Sequence, residues 1–164
     1  MVWARTKLMI HDDLLHPRKR IKFSFSGPHP EKFYKELPDL LETTFRITEL
    51  NIEEKEFHWT GGDPQKFSVR WEIHKDLDKF SYLWLEIKLK GKSSKGIGNA
   101  TIIVEGAIRT EYPQDTYWQR SIFYEFLRMF WHSTFYASTR DNYIREGRKL
   151  LGAFIAHLKE LTRG

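Results

Sequence analysis

Hydrophobic and polar residues alternate along most of the chain from Arg46 to Thr110, and this period of two predicts strands. The strand-like segments are about 46–60, 66–75, 80–91 and 99–110. Short stretches rich in Gly, Asp, Pro and Ser separate them. Connections this short join antiparallel neighbours, because a parallel crossover needs a dozen residues or more. The sequence therefore predicts an antiparallel sheet in the middle of the chain.

One face of this sheet is predicted to be continuously apolar. A turn centred on Asp78 would pair Ile73 with Leu83, Trp71 with Leu85, Val69 with Ile87, and Phe67 with Leu89. The next hairpin places Ile102, Val104, Gly106 and Ile108 on the same face, and two registers of that hairpin fit. An apolar sheet face of this kind needs a cover.

The first strand of the run is less regular. Phe57 and Trp59 join the apolar face only if Glu53 and Lys55 join it as well. We therefore expect a bulged strand or an edge strand. If this strand instead opens into a wet cavity, Glu54 or Glu56 becomes a candidate acid or base on a bound ligand. Full exposure of both, away from any pocket, would remove that role.

The segments on either side of the sheet have different periods. Residues 2–11 predict a short strand, and RIKFSFS at 20–26 predicts a half-buried strand. The following PEKFYKELPDLLETTF has apolar residues at helical spacing, and Pro38 is expected to divide it into two short helices.

After Pro113 the pattern is helical, with two apolar stripes. The first stripe is Ile122, Phe123, Phe126, Leu127, Phe130 and Trp131. The second is Ile144, Leu150, Leu151, Phe154, Ile155, Leu158 and Leu161. Ser138 to Asp141 resemble an N-cap, so residues 115–162 form either two helices or one long helix. This C-terminal helical region is the only element long enough to cover the sheet.

This order of elements resembles the START-like or SRPBCC superfamily, the helix-grip fold, which includes polyketide cyclases and lipid-transfer domains. FSFSGPHPEKFYKELPDLL looks like its first strand passing into paired small helices, and WQRSIFYEFLRMFW looks like the start of its closing helix. The resemblance spans residues 20–162 and implies an α+β fold in which a curved antiparallel β-sheet wraps around a long C-terminal helix. The length of 164 residues predicts a single domain over 1–164. The resemblance also implies a cavity for a hydrophobic or lipid-like small molecule between sheet and helix.

The predicted ligand-binding residues come from both walls of that cavity. They are Phe67, Val69, Trp71, Ile73, Leu83, Leu85, Ile87, Ile102 and Val104 on the sheet, and Phe123, Phe126 and Phe130 on the helix. The alternative is an interaction or scaffold module with a filled core. In that alternative Tyr82 and Trp84, which alternate onto the outer face, form an exposed aromatic patch for a partner or a homo-oligomer.

The net charge of +5 raises the possibility of a nucleic-acid binder, but the charge has no basic tail or half. Three local clusters contain Arg18, Lys19, Arg20 and Lys22; Lys88, Lys90, Lys92 and Lys95; and Arg140, Arg145, Arg148 and Lys149. Phosphate tracking would need these clusters to converge in space. A nucleic-acid partner is the less favoured alternative.

The residues that carry catalysis elsewhere form no recognisable motif here. The chain has no cysteine, and neither His11-Asp12-Asp13 nor the separated His58, His74, His132 and His157 has the spacing of a metal or catalytic site. We expect no cofactor and no metal. A binding protein is favoured over an enzyme, and an enzyme of the cyclase or hydrolase type stays open as an alternative that the family resemblance implies. The sequence has no signal-peptide core and no apolar stretch of membrane-spanning length, so a cytoplasmic location is expected.

Overall fold

The computed structural model describes residues 6–114 and 118–163. The strands are β1 (Thr6–Asp13), β2 (Ile21–Pro28), β3 (Ile52–Thr60), β4 (Gln65–Asp76), β5 (Ser81–Ser94) and β6 (Ile97–Gln114). The helices are α1 (Phe33–Phe45), α2 (Ile122–Trp131) and α3 (Ala137–Arg163). A π turn at His132–Tyr136 joins α2 to α3. The α+β class, with an antiparallel sheet and a long C-terminal helix, is confirmed.

All strand pairs in the sheet are antiparallel, and β6 is long enough to pair with two strands on one side. β1 pairs with its C-terminal half, where Asp13 faces Ala107. β2 pairs with its N-terminal half, where Ile21 faces Val104. The order then continues through β5 and β4 to β3. The two short N-terminal strands predicted by their alternation therefore share one edge of the sheet, and β3 forms the other.

The β4–β5 hairpin has the predicted face but not the predicted register. Ile73 faces Leu85 and Trp71 faces Ile87, which is two residues away from the predicted pairing. The face is unchanged because side chains alternate with a period of two. One Asp78 carboxylate oxygen accepts hydrogen bonds from the backbone N–H groups of Phe80, at 2.7 Å, and Ser81, at 2.8 Å. This Asx-type turn makes the loop longer and shifts the pairing.

Turn geometry also selects the register of the β5–β6 hairpin. Lys95 and Gly96 have positive φ values of 51° and 78°, as a two-residue type I′ turn requires, and Gly91 then faces Ala100. On the opposite edge, the pairing of β3 with β4 shifts between Glu54 and Glu56. The predicted bulged or edge strand is therefore confirmed, because β3 is both.

The core lies between the sheet and two helices, α1 and α3. Each fourth position of α1 is fully buried: Phe33, Leu37, Leu41 and Phe45. The prediction that Pro38 divides this segment is wrong, since one helix runs through it. An interior proline costs about 3 kcal/mol. Burial of each large apolar side chain contributes roughly 1.5–3 kcal/mol, so packing on both sides of Pro38 outweighs that cost.

The second half of the C-terminal helical region, not the first, covers the sheet. Leu151, Phe154 and Leu158 of α3 are at most 1% exposed. A Cβ atom at Gly147 would lie 3.2 Å from side-chain atoms of Ile108 and Leu14, so this glycine lets α3 approach β6 closely. The N-cap predicted at Ser138 is not used, because the chain is helical through that position. Within the described residues, no helix is long and apolar enough to cross a membrane.

Candidate functional site

The structure separates the two walls of the predicted ligand cavity. All nine predicted sheet residues are buried, with exposed fractions of 3% or less, in a core that includes α1 and α3. Phe123, Phe126 and Phe130 are 69%, 70% and 57% exposed on α2. The predicted set is therefore not one site: its sheet members belong to the filled core, and its helix members face solvent.

The polarity of α2 explains why this prediction fails. Its polar residues turn toward the protein, where Arg128 lies 5.5 Å from the Tyr112 ring centroid. The Tyr112 hydroxyl and His132 Nδ1 are 2.7 Å apart, which anchors the following π turn on β6. The periodic apolar stripe of α2 is left on the outer side, because a helical period does not say which way a stripe faces.

A groove of about 1120 Å³ lies between α1 and α3. Its apolar surface comes from Leu40 on α1 and from Leu150, Ala153 and Leu161 on α3. Lys75, at the end of β4, also lines it and donates a 2.7 Å hydrogen bond to the Phe45 carbonyl. This volume is slightly above the range of small-molecule sites, which is about 300–1,000 Å³.

Two buried polar atoms belong to residues that line this groove. Glu36 Oε2 and Thr44 Oγ1 are both buried, and neither has a hydrogen-bond partner among the described residues. Most buried polar atoms in folded proteins are hydrogen bonded, so each unpaired atom calls for a partner. An ionised carboxylate oxygen can only accept, and a threonine hydroxyl can donate or accept. Both atoms lie beneath the groove surface rather than on it.

Charges of both signs surround the apolar surface. The basic side chains are Lys32, Arg46, Lys75, Lys149 and His157, and the acidic ones are Glu36, Asp39, Glu146 and Glu160. Because neither sign dominates, this rim does not select strongly for an anion or a cation. It suits a molecule with an apolar body and neutral or zwitterionic polar ends.

Sequence reasoning missed this groove because its helix faces carry mixed residues. By sequence, Leu150 and Leu161 belong to the second apolar stripe, and the charged positions between them match a solvated helix surface. One signal was present: Glu36, Leu40 and Thr43 follow each other at helical spacing beside the core stripe of α1. Only the packing of α1 against α3 brings that face together with Ala153 and His157.

A second polar cluster lies under the π turn. The Tyr136 hydroxyl donates to Asp78 Oδ2 at 2.7 Å and lies 2.6 Å from Ser81 Oγ, which is 2.7 Å from Thr110 Oγ1. Burial and the hydrogen bond to Asp78 raise the pKa of Tyr136. Burial acts to raise the pKa of Asp78, but hydrogen bonds from Tyr136, Phe80 and Ser81 lower it below its ordinary value. The partners of Ser81 are hydroxyl groups rather than a base, so this cluster anchors the helix and does not activate a nucleophile.

The candidate acid or base residues of β3 lie outside the groove. Glu54 is exposed and accepts a 3.0 Å hydrogen bond from the Tyr34 hydroxyl. The Glu56 side chain is 55% exposed and lies 2.7 Å from Arg70 Nη2. Neither carboxylate reaches the groove lining, so the proposed acid or base role of Glu54 or Glu56 is not supported.

The His11-Asp12-Asp13 sequence is divided among different partners. Arg140 Nε donates to Asp12 Oδ2 at 2.6 Å and its Nη2 donates to the other oxygen, which ties α3 to β1. His11 Nδ1 accepts a 3.4 Å contact from Arg109 Nε. Asp13 Oδ1 accepts a 2.9 Å hydrogen bond from Leu15 N. These side chains therefore serve local structure, each in a different direction.

The outer aromatic patch predicted at Tyr82 and Trp84 is not exposed. Trp84 is only 7% exposed, because the Arg109 guanidinium lies 3.7 Å from its ring centroid and His11 packs beside it. Tyr82 is half-buried, stacks on His74 and donates a 2.8 Å hydrogen bond to Glu111. Among the described residues, most of the exposed Phe and Trp side chains lie instead on α2 and the π turn that follows it.

The three basic clusters do not form one surface. Lys88 and Lys90 alternate with buried residues and project from the outer face of β5. Arg145, Arg148 and Lys149 are exposed on α3, which covers the opposite face. Lys88 is already paired with Glu86 at 2.6 Å. Basic side chains on opposite faces of the protein do not form the continuous basic surface that nucleic-acid binding needs.

Comparisons with known proteins give no family. No family profile matches the chain, and no curated protein sequence matches it significantly. Among solved structures, the chain is similar to SA2116, a protein of unknown function from Staphylococcus aureus. That similarity covers 98% of each chain at 12% identity with a TM-score of 0.29. A similarity at this level carries no argument about fold or function.

Proposed function

We propose that this protein is a binding protein for a small amphipathic molecule, held in the groove between α1 and α3. The observation that carries this proposal is the groove itself, which has a volume of about 1120 Å³, an apolar surface and charged side chains of both signs around it. Leu40, Leu150 and Leu161 would contact the apolar body of the ligand. A hydroxyl or amine group of the ligand would donate to Glu36.

We also propose membership of the START-like or SRPBCC superfamily. The support is the order of elements: short strands, a small helix, an antiparallel meander and a long covering helix. The groove differs from the cavity that this resemblance implies, because the inner sheet face is filled by α1 and α3 side chains. Ligand access would therefore be between the two helices.

Native mass spectrometry of gently purified protein, followed by denaturing extraction, tests this function. We expect a small molecule bound at one per chain. The variant Ala153→Trp places a large side chain in the groove and should lose the ligand. The matched control Ala156→Trp changes an exposed position of α3 outside the groove lining and should retain it.

Two outcomes would contradict the proposed binding function or its site. A wild-type mass equal to the bare chain, together with no binding of added apolar amines or alcohols, would refute the proposal. Retention of the ligand by Ala153→Trp would place the binding site elsewhere. Circular dichroism spectra of both variants show whether a lost ligand reflects a filled groove or a lost fold.

A further inference from the structure

The outer side of α2 is the largest exposed apolar feature in the described part of the chain. The exposed side chains are Ile122, Phe123, Phe126, Leu127, Met129, Phe130, Trp131 and, in the π turn, Phe135. Their exposed fractions range from 51% to 89%. Trp118, just before the helix, is 77% exposed. At 3.6 residues per turn, these positions cover the whole outer half of α2.

The charges of α2 are on its other side. Arg128 forms an ion pair with Glu125, and its side chain is only 10% exposed. His132 is half-buried against Tyr112. The exposed positions from 122 to 135 carry no charge, since Ser133 and Thr134 are their only polar members. The apolar side of α2 therefore faces solvent and its polar side faces the protein, which is the opposite of a helix that covers its own core.

The area of this surface is that of a protein interface. Large apolar side chains present about 150–250 Å² each, so eight of them at these exposures give on the order of 1,000 Å². The largest apolar patch on an ordinary monomer is about 300–600 Å². A standard stable interface buries about 800 Å² on each partner. One copy of α2 therefore supplies enough apolar area for a stable dimer.

The distribution of charge decides between a protein and a lipid surface as the occupant. A helix that lies on a membrane carries lysine and arginine at the margins of its apolar face, where they meet headgroups. Arg128 is the one basic residue of α2 itself, and its side chain is only 10% exposed and pairs with Glu125. Homodimer interfaces are depleted of charge and enriched in Phe, Trp and Met, which is the composition of the outer side of α2.

We propose that two copies of this chain form a homodimer by packing the outer sides of α2 against each other, antiparallel, around a twofold axis. Phe123, Phe126, Leu127 and Phe130 form the central stripe at helical spacing. In a twofold interface each contact occurs twice. Phe126 then meets Leu127 of the partner subunit, and Phe123 meets Phe130 of the partner subunit. The antiparallel arrangement also opposes the two helix dipoles.

This inference does not depend on the proposed function. The groove lies on α1 and on the part of α3 beyond residue 145, and it shares no residue with α2. Either proposal can therefore fail while the other stands.

Sedimentation equilibrium over a concentration series tests the dimer. Wild-type protein should have about twice the 19.7 kDa chain mass. Phe126→Asp buries an unpaired carboxylate in the interface, so its dimer dissociation constant should rise by about 100-fold or more. Leu50→Asp is the matched control, because Leu50 is 92% exposed away from α2, and it should leave the dimer intact. Unchanged circular dichroism of Phe126→Asp shows that the fold survives.

Cysteine cross-linking tests the geometry of the interface directly, because the chain has no cysteine of its own that could react. Phe126→Cys lies near the axis and should form an intermolecular disulfide on oxidation. With a rise of 1.5 Å per residue, Ile122→Cys lies about 13 Å from its symmetry mate along the helix axis. This distance is too long for a disulfide, so the variant should not cross-link. Equal cross-linking of both variants would refute the antiparallel arrangement. A monomeric wild type, including one that binds phosphatidylcholine vesicles instead, would refute the dimer.

Discussion

The Tyr136 hydroxyl donates a 2.7 Å hydrogen bond to Asp78 Oδ2, while Asp78 Oδ1 accepts from the backbone of the β4–β5 turn. One carboxylate therefore sets the register of a hairpin and anchors the π turn between α2 and α3. The direction in which α2 presents its apolar side depends on this anchor, because the π turn fixes the end of that helix.

Removal of the Tyr136 hydroxyl should destabilise the fold. Tyr136→Phe leaves Asp78 Oδ2 and Ser81 Oγ with one partner fewer each, in a buried setting. The free energy of unfolding should fall by about 1–3 kcal/mol in urea denaturation. The control Tyr34→Phe removes an exposed hydrogen bond to Glu54 and should change it by less than about 0.5 kcal/mol. An equal loss of unfolding free energy in Tyr136→Phe and Tyr34→Phe would contradict the anchoring role of the Tyr136 hydroxyl.

Acid should remove the contribution of Asp78. Its folded-state pKa is below the ordinary value of 3.8, because the hydrogen bonds from Tyr136 and the turn N–H groups outweigh burial. The stabilisation is present above that value and is lost as the pH falls through the folded-state pKa. Asp78→Asn should therefore be less stable than wild type at neutral pH, and the difference in unfolding free energy should shrink in acid. A constant difference would show that the charge is not involved.

His132 should make the protein less stable in mild acid. Burial, followed by the charge of Arg140, lowers the pKa of His132 below its ordinary value of 6.5. In the window below 6.5 the unfolded chain binds a proton that the folded chain does not, so unfolding becomes more favourable as the pH falls. The variant His132→Gln, with a neutral side chain, should have a flatter stability profile between about pH 7.5 and about pH 5. Parallel profiles would assign the acid sensitivity to another group.

The sequence determines the faces of this sheet better than its register. Alternation placed Val69, Ile87 and Val104 on the buried side correctly, since a period of two specifies a face whatever the pairing. The register depends on the loop after Asp76, where the Asp78 carboxylate accepts hydrogen bonds from two backbone N–H groups. The alternation of apolar residues does not predict this turn conformation.

Helical stripes show a related limit. The stripes of α2 and α3 look alike as sequences, yet Phe154 is fully buried and Phe126 is 70% exposed. The difference comes from tertiary anchors, Tyr136 on Asp78 and His132 on Tyr112, which orient the polar side of α2 inward. The groove cannot be predicted from the sequence for a similar reason, because it forms only where two helix faces that are distant in sequence meet.

A change at Glu36 should raise stability and lower binding together. The buried Glu36 Oε2 has no hydrogen-bond partner among the described residues, and an unpaired buried carboxylate oxygen costs free energy. Glu36→Leu removes that atom and extends the apolar surface of the groove. We expect the unfolding free energy of ligand-free protein to rise by about 1 kcal/mol. Ligand retained in native mass spectrometry should fall, because the acceptor for its donor group is gone.

Glu160→Leu separates this effect from a general gain of apolar surface. Glu160 lines the same groove but is exposed, so it carries no burial cost. This variant should leave the unfolding free energy within about 0.5 kcal/mol of wild type and should keep the ligand. If Glu36→Leu is destabilising, Glu36 has a structural partner and the groove has no unpaired acceptor. If it is stabilising but retains the ligand fully, the ligand does not use Glu36.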